Sequence, residues 1–146
     1  MAIRVERATD AELDVVRAIR RTVFVEEQAV PLEVEADRYD GVAEHFLARL
    51  GPLPVATARA RSTHEGWKVE RVAVLGPQRG TGVGSALIRH VLGCAPPGAS
   101  VYVHAQESAL GFWRRAGFVA EGPSFEEGGL SHRRMRYAGP GSADPL

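Results

Sequence analysis

A mixed α+β domain is the fold class this sequence predicts, on three observations. Several short stretches alternate apolar and polar residues, as half-buried strands do. Others repeat their apolar residues every three or four positions, as amphipathic helices do. Polar stretches rich in Gly and Pro separate the two kinds, and a run of strand-like segments fills the middle of the chain.

"IRVERA" (3–8) alternates and predicts a strand. "TDAE" (9–12) offers a capping box, with Thr9 as the cap and Glu12 bonding back to it. Leu13, Val16, Ile19 and Val23 follow at helical spacing, so residues 10–23 predict an amphipathic helix. Residues 23–40 are less regular, and Pro31 breaks any helix there. "EHFLARL" (44–50) and "PVATARARS" (54–62) alternate like neighbouring strands of a meander, with "GPLP" and "STHEGW" as turns. "KVERVAVL" (68–75) is the next strand, and "GSALIRHVL" (84–92) is a helix with Leu87, Ile88 and Val91 on its apolar side. After the loop "APPG", the β-branched residues of "ASVYVHA" (99–105) predict a strand. "ESALGFWRRAG" (107–117) reads as a helix, with Arg114 and Arg115 at its carboxyl end and Gly117 as its stop. "FVAEG" and "SHRRMRY" predict two last strands, and residues 139–146 a frayed tail.

The 146 residues suit one domain, placed at residues 1–138. Eighteen basic residues balance 18 acidic ones, which gives no support for a nucleic-acid partner. Cys94 is the single cysteine, so no intrachain disulfide forms, as suits a reducing, cytoplasmic setting. No apolar run approaches the ~20 residues of a membrane span, and the amino terminus carries no signal-peptide core. The histidines show no ligand spacing and Cys94 has no partner nearby in sequence, so no metal is expected.

The chemistry concentrates in "AVLGPQRGTGVGSALIRHVL" (73–92), where three glycines stand in five positions beside Arg79. Gly80, Gly82 and Gly84 permit a tight turn and close approach of a ligand. The first amides of the following helix have no partner within it and sit at the positive end of its dipole, where an anion is favoured. A P-loop is excluded, because no Lys follows the glycines. A dinucleotide fingerprint is excluded too: its third glycine position is Ser85, and no acid stands about 20 residues on.

Arg79-Gly80-Thr81-Gly82-Val83-Gly84 resembles the coenzyme A pyrophosphate signature of the GNAT superfamily of N-acetyltransferases, Gln/Arg-x-x-Gly-x-Gly/Ala. "ERVAV" before it and the helix after it agree with that family's pattern. "AQESALGFWRRAGF" (105–118) looks like its later motif, in which a small residue precedes an aromatic pair and a helix ending in Gly-Phe. "FEEGGLSHRRM" (125–135) and "AIRRTVFVEEQAVPLEVEADRYD" (18–40) resemble the ElaA-like branch. The matches span nearly the whole chain. The resemblance implies a twisted mixed sheet of six or seven strands with helices on both faces. It also implies a splayed central pair, the strands of "RVAV" and "VYVHA", with the cofactor's pantetheine arm in the gap. Acetyl-CoA is then the cofactor. Its contacts would come from the backbone near Val72, Ala73 and Val74, from Arg79, Gly80, Thr81, Gly82, Val83, Gly84 and Ser85, and from Gln106, Phe112 and Trp113.

Acyl transfer from a thioester to an amine needs the amine deprotonated, the developing oxyanion stabilised and the thiolate released. Glu70 precedes the pantetheine strand, where many relatives carry a base; alternatively it is a solvated strand residue. His132 is the other candidate, since imidazole suits proton shuttling. The family usually places a tyrosine second in the aromatic pair to protonate the thiolate. Here that residue is Trp113, whose indole N–H donates a hydrogen bond but is no acid near neutral pH. The alternative reading is that Phe112 and Trp113, in helical register, fill the core. Tyr102, His104 or Tyr137 can supply a proton instead, or none is needed, because a thiol of pKa about 8.5 leaves readily.

Glu26, Glu27, Glu33, Glu35, Asp37 and Asp40 stand against Arg38 alone, either an acidic wall that attracts a cationic amine or a solvated loop. Gly128-Gly129 is either a flap beside His132 or an ordinary turn. Two functions compete: an N-acetyltransferase acting on a small amine, a lysine or an amino terminus, and a catalytically silent acyl-CoA-binding module. Many relatives of this kind form homodimers.

Overall fold

The structure, a computed structural model, describes residues 2–139, the side chains of residues 33 and 34 excepted. The predicted tail lies outside the described residues from residue 140 onward. Seven strands form one mixed sheet: β1 (Ile3–Arg7), β2 (Glu44–Leu50), β3 (Leu53–Thr63), β4 (Gly66–Val74), β5 (Val101–Gln106), β6 (Phe118–Glu127) and β7 (Leu130–Tyr137). Their order is β1-β2-β3-β4-β5-β7-β6. The helices are α1 (Leu13–Arg20), α2 (Leu32–Glu35), α3 (Val83–Gly93) and α4 (Leu110–Arg115). Two compact units divide the chain, one of residues 2–61 and 70–94, the other of residues 62–69 and 95–139, so β4 contributes to both. Among the described residues no helix is long and apolar enough to cross a membrane.

In the first unit, β1 and β3 flank β2 antiparallel, Ile3 facing Leu50 and Ala60 facing Glu44. The Glu12 carboxylate accepts from the Thr9 amide at 2.9 Å, and the expected capping box is in place. The predicted helix over 10–23 is composite. A 3₁₀ turn spans Asp10–Glu12, α1 follows, and Arg21–Glu27 winds on as a wider π-type helix. Val16, Ile19 and Val23 still meet Leu47 and Ala73 in a buried cluster, so the apolar spacing read from the sequence is the one that folds. Pro31 does not merely end a helix; it stands at the amino-terminal cap of α2. Leu87, Ile88 and Val91 of α3 are buried as expected, together with Val83.

In the second unit, β4 runs parallel to β5 through Trp67↔Val101, Lys68↔Tyr102 and Val69↔Val103. β5 pairs antiparallel with β7, and β7 with β6. The register of β6 shifts between Glu121 and Phe125, around Pro123, which has no N–H for a ladder. Glu127 faces Leu130, so Gly128 and Gly129 form a two-residue hairpin turn, both with positive φ (59° and 82°). The glycine pair is therefore a tight turn. The apolar face carries Val101, Val103, Ala105, Phe118 and Met135, all buried, and α4 adds Trp113 to them.

Candidate active site

The pyrophosphate signature, Val72–Val74 and Glu70 lie in the first unit; Tyr102, Gln106, Phe112, Trp113 and His132 lie in the second. After β4 the chain makes a 3₁₀ turn at Gly76–Gln78 and reaches Gly80 and Gly82 with φ of 80° and 89°. An L side chain rarely adopts such angles, so glycine is required there by the backbone. Among the described residues, an added Cβ at either would meet nothing within 4 Å, so the space over the turn is open. Gly82 caps α3, and its carbonyl accepts the first helical bond, from Ala86 at 3.0 Å. The amides of Val83, Gly84 and Ser85 come before that bond and have no intrahelical acceptor.

Two side chains brace the turn. The Thr81 hydroxyl donates to the Gln78 carbonyl at 2.5 Å. Arg79 donates through Nε to the Val74 carbonyl (2.9 Å) and through Nη2 to Glu27 (2.5 Å). Arg79, ion-paired with Glu27, is thus tied to the last residue of β4 and to the π-type segment. Ala73 is buried in the core cluster, and Val72 and Val74 are half-buried. Arg71 carries φ of +51°, two residues beyond the last pair between β4 and β5. A left-handed non-glycine residue in a strand costs about 1 kcal/mol or more.

Glu70 is not a solvated strand residue. Its side chain is only 7% exposed. Oε2 accepts from Arg59 Nε (2.9 Å), Arg59 Nη2 (2.5 Å) and Arg61 Nε (2.6 Å). Arg59 also donates to Asp37 (2.7 and 3.0 Å) and Asp40 (2.8 Å), and Arg20 joins Glu35 (2.5 Å) to Asp40 (2.8 Å). Arg71 bonds Asp37 at 3.1 Å. Burial alone would raise the Asp37 carboxyl, but the Arg59 guanidinium outweighs it and holds the group at about 2. Asp40 likewise is pushed up by burial and brought below its usual range by Arg20 and Arg59. The expected acidic wall is thereby corrected: Glu35, Asp37 and Asp40 turn inward as counter-ions of buried arginines, while Glu27 neutralises Arg79. The side chain of Glu33 lies outside the described residues.

One face of the second unit collects its polar and aromatic groups. Alternation along β5 sets Tyr102, His104 and Gln106 on the same side, and the register places Arg136, Arg134 and His132 opposite them on β7. Tyr102 is 2% exposed; its hydroxyl pairs with Thr63 Oγ1 at 2.7 Å, and the Arg134 guanidinium lies 4.0 Å over its ring. His132 is buried, stacked on Phe125 with centroids 6.0 Å apart, and its Nδ1 lies 2.8 Å from the Leu130 carbonyl. A carbonyl only accepts, so Nδ1 carries the proton and neutral His132 keeps its lone pair on Nε2. Trp113 is buried edge-on to Phe118 (5.1 Å) and Phe112 (5.2 Å).

Sequence reasoning missed the ion network and a second polar pair, His104 Nδ1 to Glu127 Oε1 at 3.0 Å. The only signal for that pair was alternation in "VYVHA" and "FEE". It becomes useful once β7 is known to lie between the two strands.

Comparison with known proteins bears on the family and the fold. The model of the Acetyltransferase (GNAT) domain matches residues 8–138. The uncharacterized N-acetyltransferase YjcF of Bacillus subtilis is 34% identical over 120 residues, covering 80% of this chain and 86% of that protein. The crystal structure of an acyl-CoA N-acyltransferase from Pseudomonas aeruginosa superposes with a TM-score of 0.81 at 27% identity, over 94% of this chain and 100% of that one. That of Escherichia coli ElaA gives 0.80 at 27% identity, over 93% and 99%.

Proposed function

The chain belongs to the GNAT acetyltransferase family, and from that premise we propose that it moves an acetyl group from acetyl-CoA to a primary amine. The amine is a small molecule, a lysine or an amino terminus, and it attacks directly within a ternary complex in the cytoplasm. The glycine turn carries this reading: left-handed Gly80 and Gly82 open α3 under unobstructed space, with Arg79 beside its unpaired amides. These groups suit a diphosphate. The backbone of Val72, Ala73 and Val74 would hold the pantetheine arm, with Gln106, Phe112 and Trp113 completing the set that the resemblance implies. The thioester supplies an activated acyl carbon.

Glu70 is best read as a positioning residue, because its carboxylate is already saturated by Arg59 and Arg61. His132, with Nε2 as acceptor, and Tyr102 remain on the amine side of the proposal. Calorimetry with acetyl-CoA, followed by thiol release with a panel of amines, tests the reading. Binding with thiol release is expected. Binding without release for any amine would instead indicate a silent acyl-CoA module.

A further inference from the structure

We propose that Arg71 is a positioning residue for the pantetheine arm of the acyl donor: anchored by Glu35 and Asp37, it holds the backbone of Val72, Ala73 and Val74 in the conformation that receives the arm. The inference rests on the acetyl-CoA reading above.

Arg71 has φ of +51° within β4, where a regular strand has about −120° to −140°. A conformation so sparsely populated persists only where its surroundings over-determine it, and such residues gather at ligand clamps and active sites. Here the surroundings act through the side chain of Arg71 itself. Nε donates to the Glu35 carbonyl at 3.2 Å and stands 3.5 Å from Glu35 Oε2, while Nη2 donates to Asp37 Oδ2 at 3.1 Å. Both acceptors are fixed in turn. Glu35 is buried and bonded by Arg20. Asp37 accepts from Arg59 through both of its oxygens and from the Tyr39 amide at 3.0 Å. With its carboxyl held at about 2, Asp37 is ionised at neutral pH and the anchor is charged.

A second anchor closes the other end of the stretch. The Val74 carbonyl accepts from Arg79 Nε at 2.9 Å, and Arg79 Nη2 pairs with Glu27. The next amide, that of Leu75, donates to the Val55 carbonyl at 3.0 Å. Between the two anchors, Ala73 packs in the buried cluster of Val16, Ile19, Val23 and Leu47. Two arginines thus fasten one short length of β4 to carboxylates of residues 27, 35 and 37, all within the first unit, which also holds the glycine turn. Charge balance alone asks for no strained backbone: Arg59 serves the same network from β3 without a positive φ. The strain at Arg71 therefore answers to the backbone that follows it.

The full chain is titrated in a calorimeter with acetyl-CoA and with adenosine 3′-phosphate 5′-diphosphate, which keeps the nucleotide and diphosphate of CoA and lacks pantetheine. Wild type should bind both, acetyl-CoA the more tightly. Arg71→Ala should raise the dissociation constant of acetyl-CoA about 10-fold, as one strained residue relaxes, and leave that of the nucleotide within about twofold. Arg71→Lys keeps the charge but not the fork of donors, and should weaken acetyl-CoA only about threefold. Arg71→Gly adopts the φ freely but has no anchor, so it too should bind acetyl-CoA more weakly than wild type does. Circular dichroism checks that each variant is folded. Unchanged acetyl-CoA affinity in folded Arg71→Ala, or in Arg71→Lys where Arg71→Ala does not fold, overturns the assignment. Equal weakening of both ligands overturns it as well, as does Arg71→Gly with wild-type affinity for acetyl-CoA, or a wild-type chain that holds acetyl-CoA no more tightly than the nucleotide. A wild-type chain that binds neither ligand overturns the acetyl-CoA reading itself, and this assignment with it.

Discussion

Arg59 grips Glu70 with two nitrogens, Nε at 2.9 Å and Nη2 at 2.5 Å, both on the same carboxylate oxygen. The guanidinium is buried, and its remaining nitrogen reaches Asp37 and Asp40. Taking one partner away leaves charge without compensation in a place that water does not reach. Glu70→Gln should therefore destabilise the fold by about 3 kcal/mol, because breaking a buried pair is far more costly than losing an exposed one. A urea midpoint unchanged from wild type would contradict this.

The same network sets acid sensitivity. The folded Asp37 carboxyl sits at about 2, below its ordinary 3.8. A depressed carboxyl adds stability that is fully present above the unfolded value and lost as pH falls through the folded one. Wild-type stability should thus fall between about pH 4 and pH 2. Asp37→Asn should be less stable at neutral pH and show a flatter dependence in that window. Parallel curves for the two proteins would exclude Asp37 as a source of the slope.

Gly82→Asp should raise the dissociation constant of acetyl-CoA at least 10-fold. The substitution forces an L residue to φ of +89° and sets a carboxylate over the turn that is expected to receive a diphosphate. Gly82→Ala carries only the backbone strain and should weaken binding less. Calorimetry on the two folded variants separates strain from charge.

Trp113→Ala should cost about 3–5 kcal/mol, since it empties a buried site against Phe118 and Phe112. Trp113→Phe, which keeps an aromatic ring and removes the indole N–H, should retain most of the activity. A large loss of kcat in a stable Trp113→Phe protein would show that the indole N–H acts on the acyl donor.

Local demands were legible in the sequence. α3 at Val83–Gly93 differs by one residue at each end from the helix read at 84–92, because its apolar spacing and opening glycine are local signals. β2 coincides with the predicted 44–50 for the same reason. What escaped depends on distant partners. Arg59 sits in the alternating "VATARARS", where a charged residue reads as solvent-facing. β3 is instead buried on both faces around it, since Asp37, Asp40 and Glu70 arrive from other elements to balance the charge. The π-type winding at Arg21–Glu27 keeps the apolar spacing of an α-helix at Val16, Ile19 and Val23, so periodicity alone does not reveal it.

Each carboxylate in the Arg59 network answers to more than one guanidinium, and Arg59 itself answers to three carboxylates. No member can be exchanged alone without stranding its neighbours. Descendants of this chain should drift at these positions in concert, trading whole sets of ionic side chains for apolar ones.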